Sequence, residues 1–210
     1  MGRAAIVMLL VFAGASLAAA GDDGKVKEPV TGVSFAAVDP DGLGLLGVGV
    51  RKKLVFNVYA GALYVEVAAM AAGLESLAEE KLFHAVIHGE FKKRIVMHFV
   101  RDVGADRVRD NFAESLRNNM TEEDYAAEKE DMERFLAAVK EVKEGEEFEL
   151  VTRGREIRVK QGGALLFEAS SVRLARGMWA CWFGKKPVDE TLRGALVSRA
   201  AELFPGMKGE

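Results

Sequence analysis

An α+β fold, an antiparallel sheet with helices laid over one face, is predicted by three features of this 210-residue chain. Alternating apolar runs fill its first half. Helical spacing takes over after residue 105, and strand-like and then helical segments follow. Strands gathered ahead of helices, rather than alternating with them singly, favour helices segregated to one face of an antiparallel sheet. With 50% hydrophobic and 29% charged residues, the chain is long enough for one domain around one sizeable core.

Residues 1–20, MGRAAIVMLLVFAGASLAAA, carry Arg3, an apolar stretch from Ile6 to Phe12 and small residues ending at Ala18-Ala19-Ala20. The apolar stretch is short for a membrane span, and Ala18 and Ala20 fit a small-x-small cleavage site. A signal peptide cleaved after Ala20 is expected, with an uncleaved anchor as the alternative. Export in turn suggests a bacterial periplasm. Residues 21–32, GDDGKVKEPVTG, read as a disordered leader, and the domain is expected over 33–205.

Val33 and Phe35 alternate in a short strand, Asp39-Pro40-Asp41-Gly42 is a turn, and 54–67 is a β-branched and aromatic run broken only by Gly61. A short helical stretch at 74–80 leads to a second hairpin, with strands 82–88 and 94–100 joined through Gly89-Glu90-Phe91-Lys92-Lys93. Val108, Phe112 and Leu116 then recur at helical spacing. Thr121-x-x-Asp124 opens a second helix that continues through Tyr125, Met132, Phe135, Leu136, Val139 and Val142. Strand character returns at 147–152, 156–160 and 164–168, and helices are expected at 171–183 and 188–203.

Gly42-x-Gly44-x-x-Gly47 has the spacing of a dinucleotide-binding turn. Such a turn must open a helix whose N-terminus receives the pyrophosphate. Here the glycines run into strand-like Val48-Gly49-Val50-Arg51, so a nucleotide site is rejected. The glycines serve instead for a close backbone approach to another element or to a ligand. Arg51, among small and apolar residues, needs water or a partner anion.

The stretch Gly47-Val48-Gly49-Val50-Arg51 followed by Phe56-Asn57-Val58-Tyr59-Ala60-Gly61-Ala62-Leu63-Tyr64-Val65-Glu66 resembles the chalcone isomerase superfamily, above all its bacterial chalcone isomerase-like branch. Gly89 to Lys93, Gly104 to Leu116 and Trp182 to Leu192 resemble further family segments in the same order. The resemblance implies an open-faced β-sandwich with a cleft between sheet and helices. It also implies that Arg51 stands where the plant enzymes hold the arginine that positions the phenolate and stabilises charge on the substrate carbonyl. The family's strand threonine falls on Tyr59, its helix-entrance tyrosine near Arg107 or Val108, its C-terminal-helix threonine on Cys181 and its asparagine near Ser115. Only the arginine is kept, so flavanone formation is not expected. On one straight strand Arg51 and Tyr59 would lie about 26 Å apart, so both reach one pocket only if the chain bends near Lys52-Lys53.

The resemblance therefore points to a binder of a small amphipathic acid, fatty-acid-like, in a cleft formed by Arg51, Tyr59, Val108, Phe112, Ser115, Trp179 and Cys181. Two alternatives stay open: an isomerase or lyase working through Arg51 and Tyr59, and a haem-binding protein using a histidine. His84, His88 and His98 would lie on neighbouring strands of the second hairpin, with His84 facing His98 and no third ligand in view. No cofactor is otherwise expected. Trp179 and Trp182 form an apolar helical face with Met178, and the single cysteine, Cys181, reads as a small buried hydrophobe. The net charge of −3 becomes one unit more negative once Arg3 leaves with the leader, which argues against nucleic acid as partner. No integral span is expected after cleavage.

Overall fold

Apart from residues 82–88, the apolar runs of the first half form strands, and the helical periods that follow cover them. The computed structural model describes residues 24–209, so the leader at 1–20 lies outside the described residues. The strands are β1 (Lys25–Lys27), β2 (Ser34–Ala36), β3 (Gly44–Lys53), β4 (Phe56–Val65), β5 (Lys93–Phe99), β6 (Glu147–Arg153), β7 (Glu156–Gln161) and β8 (Ala164–Ser170). Strands β3 to β8 make one sheet in sequence order, every neighbouring pair antiparallel. The helices are α1 (Val67–Gly73), α2 (Glu79–His88), α3 (Ala105–Asn119), α4 (Glu122–Ala127), α5 (Lys129–Ala138), α6 (Val172–Phe183), α7 (Glu190–Ala195) and α8 (Ala200–Leu203).

Pleating sorts the side chains of the central strands. Tyr59, Leu63 and Val65 of β4 and Ile95, Met97 and Phe99 of β5 share one core with Val108 and Leu116 of α3, Phe135 of α5 and the apolar face of α6. Their alternates, Ala60, Ala62, Tyr64 and Val96, join Phe35, Leu43 and Leu45 in a smaller cluster on the other face, capped by Val26 and Val33 of the β1–β2 ribbon. Residues 25–27, placed by the sequence in the leader, thus pair with β2. Glu28, 1% exposed, closes the ribbon by accepting from the amides of Val30 and Thr31.

The second hairpin is a correction. Residues 82–88 are the body of α2, and β5 pairs with β4 and β6 instead. The buried positions Leu82, Phe83 and Val86 fit a 3.6-residue repeat, and Glu79 and Glu80 in the first turn complement the helix dipole. The histidine arrangement changes with it. His84 and His88 stack on α2 at 4.4 Å between ring centroids, while His98 sits on β5 beside Glu147. Of the helical stretch expected at 74–80, residues 74–78 form the connection between α1 and α2, and Glu79 and Glu80 open α2. The expected helix at 188–203 is broken into α7 and α8. Thr121 does cap α4, accepting from the Asp124 amide at 3.1 Å, but the single helix expected to run on through Val142 is split into α4 and α5 and ends at Ala138.

The glycines of β3 answer to packing. A Cβ on Gly47 would overlap the Ala195 carbonyl oxygen, and one on Gly49 would come within 2.6 Å of the Ala195 Cβ. Residues 47 and 49 therefore have to be small for α7 and the residue after it to lie on the strand, and Arg199 donates its amide to Leu46 across the same seam. Among the described residues no helix is long and apolar enough to cross a membrane.

Candidate functional site

The β3–β4 hairpin supplies the bend that Arg51 and Tyr59 require. The chain turns at Leu54 and Val55, so that Arg51 is the cross-strand partner of Tyr59 rather than a distant residue on the same strand. The Arg51 guanidinium carbon lies 5.9 Å from the Tyr59 ring centroid. This pair opens into a cavity of about 680 Å³ between the β3–β5 edge of the sheet and helices α3 and α6.

Val58, Met97 and Phe99 from the sheet and Val108 and Phe112 from α3 give the cavity an apolar wall. Its buried end carries Tyr59, Ser115, Cys181 and Trp182. Its exposed rim carries Lys53, Leu54, Phe56, Asp102, Arg107 and Asp110. Of the sequence-derived candidates, Arg51, Tyr59, Val108, Phe112, Ser115 and Cys181 all line this space. Trp179 does not. Fully buried, it turns toward β6 and donates its indole N–H to the Thr152 hydroxyl at 2.8 Å. Trp182, one helical turn later, is the tryptophan of the cavity, and the Trp-x-x-Trp spacing that marked the helix face could not say which ring points where.

Two hydrogen-bond donors are left over here. The Tyr59 hydroxyl accepts from the Trp182 indole N–H at 2.9 Å, and its own proton has no acceptor among the described residues. Burial pushes the Tyr59 phenol above its ordinary pKa, only partly opposed by Arg51, so it stays a neutral donor near pH 7. Arg51 gives one N–H to Asn111 Oδ1 at 3.3 Å, while its buried Nε has no partner. Asn111 is itself steadied by donating to the Arg107 carbonyl, one turn back on α3. Asn111 and Trp182 were not among the sequence candidates. The sequence marked Trp182 only as part of an apolar helical face, and nothing short of the tertiary contact marks Asn111.

Such a site can hold an oxyanion at one end and apolar matter along its walls. Burial raises the Cys181 thiol to about 12, which leaves it un-ionised. None of the three histidines lines the cavity, and its acids, Asp102, Asp110 and Glu114, are solvent-exposed. Among the described residues no cluster suited to a metal ion occurs.

The family model described as chalcone isomerase-like matches residues 27–198. The crystal structure of an Arabidopsis thaliana fatty-acid binding protein superposes with a TM-score of 0.72, at 24% identity over 86% of this chain and 98% of that one. At that identity the likeness speaks for the fold. A comparison with curated proteins finds no match.

Proposed function

Because the chain belongs to the chalcone isomerase-like family, whose fold brings Arg51 and Tyr59 together at the closed end of an apolar cavity, we propose that it binds an amphipathic acid of the long-chain fatty-acid class without transforming it. The observation that carries this reading is the unpartnered Arg51 Nε beside the free Tyr59 proton. A buried guanidinium N–H without a partner is costly, and a carboxylate would satisfy both donors at once. The cavity volume falls within the range of small-molecule sites. The Arabidopsis fatty-acid binding protein lends the ligand class. Arg107 and Val108 at the start of α3 provide no phenol at the helix entrance, so cyclisation of a hydroxychalcone is expected to run at the rate without protein.

The test is a titration of delipidated protein with dodecanoate and with dodecanol. The acid should bind and the alcohol bind far more weakly. Arg51→Met should weaken the acid by roughly 10- to 100-fold, as expected for loss of a charge-assisted hydrogen bond worth about 1.5–3 kcal/mol. Equal affinity for acid and alcohol, or an unchanged Arg51→Met variant, would remove the carboxylate site. We further place the mature protein in a bacterial periplasm, on the strength of Arg3, the apolar 6–12 stretch and the Ala18-x-Ala20 ending.

A further inference from the structure

The turn that closes β3 onto β4 stands at the cavity rim with its apolar side chains largely exposed. Leu54 is 90% exposed, Val55 86% and Phe56 53%. Three successive large apolar residues contradict the polar composition that tight turns favour. Leu54 also holds φ at +57°, a left-handed backbone that Gly or Asn adopts more easily than leucine. Folding alone therefore does not account for the leucine.

The foot of this tip is cationic. Lys52 and Lys53 lead into it, and the Arg101 guanidinium covers the Phe56 ring at 4.6 Å. None of these three joins an ion pair among the described residues. Two acids beside this foot are engaged: Asp102 accepts from Lys143 Nζ at 3.3 Å and from the Glu144 amide, and Asp189 accepts from the amides of Lys52 and Leu192. Asp110 and Glu114 stand on the α3 side of the rim, accompanied by Arg107. Three side chains on a narrow turn fall well short of the ~800 Å² per partner that a stable protein interface buries. A small convex apolar tip above a cationic collar suits a soft anionic surface instead.

We propose that the β3–β4 tip is a membrane-docking finger, which dips Leu54, Val55 and Phe56 into the interface of an anionic lipid surface while Lys52, Lys53 and Arg101 meet the headgroups. Lys53, Leu54, Phe56 and Arg101 also line the cavity, so docking sets its mouth against the lipid. In purpose this rests on the acyl-ligand reading, since an open mouth at the lipid surface gives an amphipathic acid a path that avoids water.

Co-sedimentation of the full chain with phosphatidylcholine vesicles, with and without one third phosphatidylglycerol, tests the docking. Binding should favour the anionic vesicles, and Val55→Glu should lower it at least about tenfold. A Val55→Trp variant should shift its emission to the blue on the same vesicles and be quenched by brominated acyl chains. No binding, binding undiminished in Val55→Glu, or an unquenched Val55→Trp would overturn the proposal. So would self-association of the parent that Val55→Glu abolishes, because the tip would then meet a second copy. Val55 does not line the cavity, so Val55→Glu should retain dodecanoate affinity in solution. A parent that docks on vesicles but binds no dodecanoate would sink the ligand reading and leave the docking finger standing.

Discussion

Lys93 offers a quantitative test of the packing between sheet and helices. Its residue is 2% exposed, and its Nζ donates to the Gly89 carbonyl at 2.5 Å, between the rings of Phe91 at 4.9 Å and Trp179 at 5.5 Å. Burial first, and then Arg176, pull its pKa from 10.5 to about 7. At about 1.4 kcal/mol per pH unit this difference sets a ceiling of about 5 kcal/mol on the cost of the charged form in the native state. The carbonyl and the ring faces favour the ammonium and offset part of it, leaving about 2–4 kcal/mol. Below about pH 7 both native and unfolded states hold the proton, and the cost is complete. Between about 7 and 10.5 the unfolded chain still binds the proton that the native state has released, so stability rises with pH. Lys93→Met removes this dependence. Urea denaturation at pH 6 and pH 9.5 should show the variant gaining on the parent by about 2–4 kcal/mol at the lower pH, with the gain shrinking at the higher. A difference between the two proteins that does not change with pH would refute the burial of this amine.

Three further outcomes follow from the same structure. Gly47→Ala should destabilise by more than about 3 kcal/mol or prevent folding, since its Cβ meets the Ala195 and Leu196 backbone, whereas Gly104→Ala, with nothing within 4 Å, should stay within about 1 kcal/mol of the parent in the same melts. Tyr59→Phe keeps the ring and removes the donor, so dodecanoate affinity should fall by roughly tenfold with little change in the affinity for dodecanol; a variant that binds the acid as well as the parent would show the phenol takes no part. Intact-mass measurement of protein from the cell envelope should give a chain beginning at Gly21, and a mass that retains residues 1–20 would mean an anchored form.

Local sequence determined much of this protein. The four-residue spacing of Val108, Phe112 and Leu116, the Thr121 cap and the alternation along 147–160 each specify an element with little help from elsewhere, because those periods match one backbone geometry alone. The family resemblance was legible in the run from Gly47 to Glu66, and with it the face on which a cavity would lie. Leu82 to His88 misled because Leu-Phe-His-Ala-Val-Ile-His carries apolar residues compatible with either period over so short a span, and burial against α6 decided for the helix. What only the tertiary structure decided were the contacts between distant residues. Trp182 rather than Trp179 faces the cavity because three residues fall about 60° short of a full turn of α6, which leaves the first ring bonded to Thr152 and the second to Tyr59. Gly47 and Gly49 are small for the sake of α7, nearly 150 residues away in the chain. Arg51 meets Tyr59 because the hairpin folds between them, and its Nε is left unpaired because no acceptor from any other element comes within reach. A side chain's residue type is written in its own position, but its partner is set by where the rest of the chain has been packed.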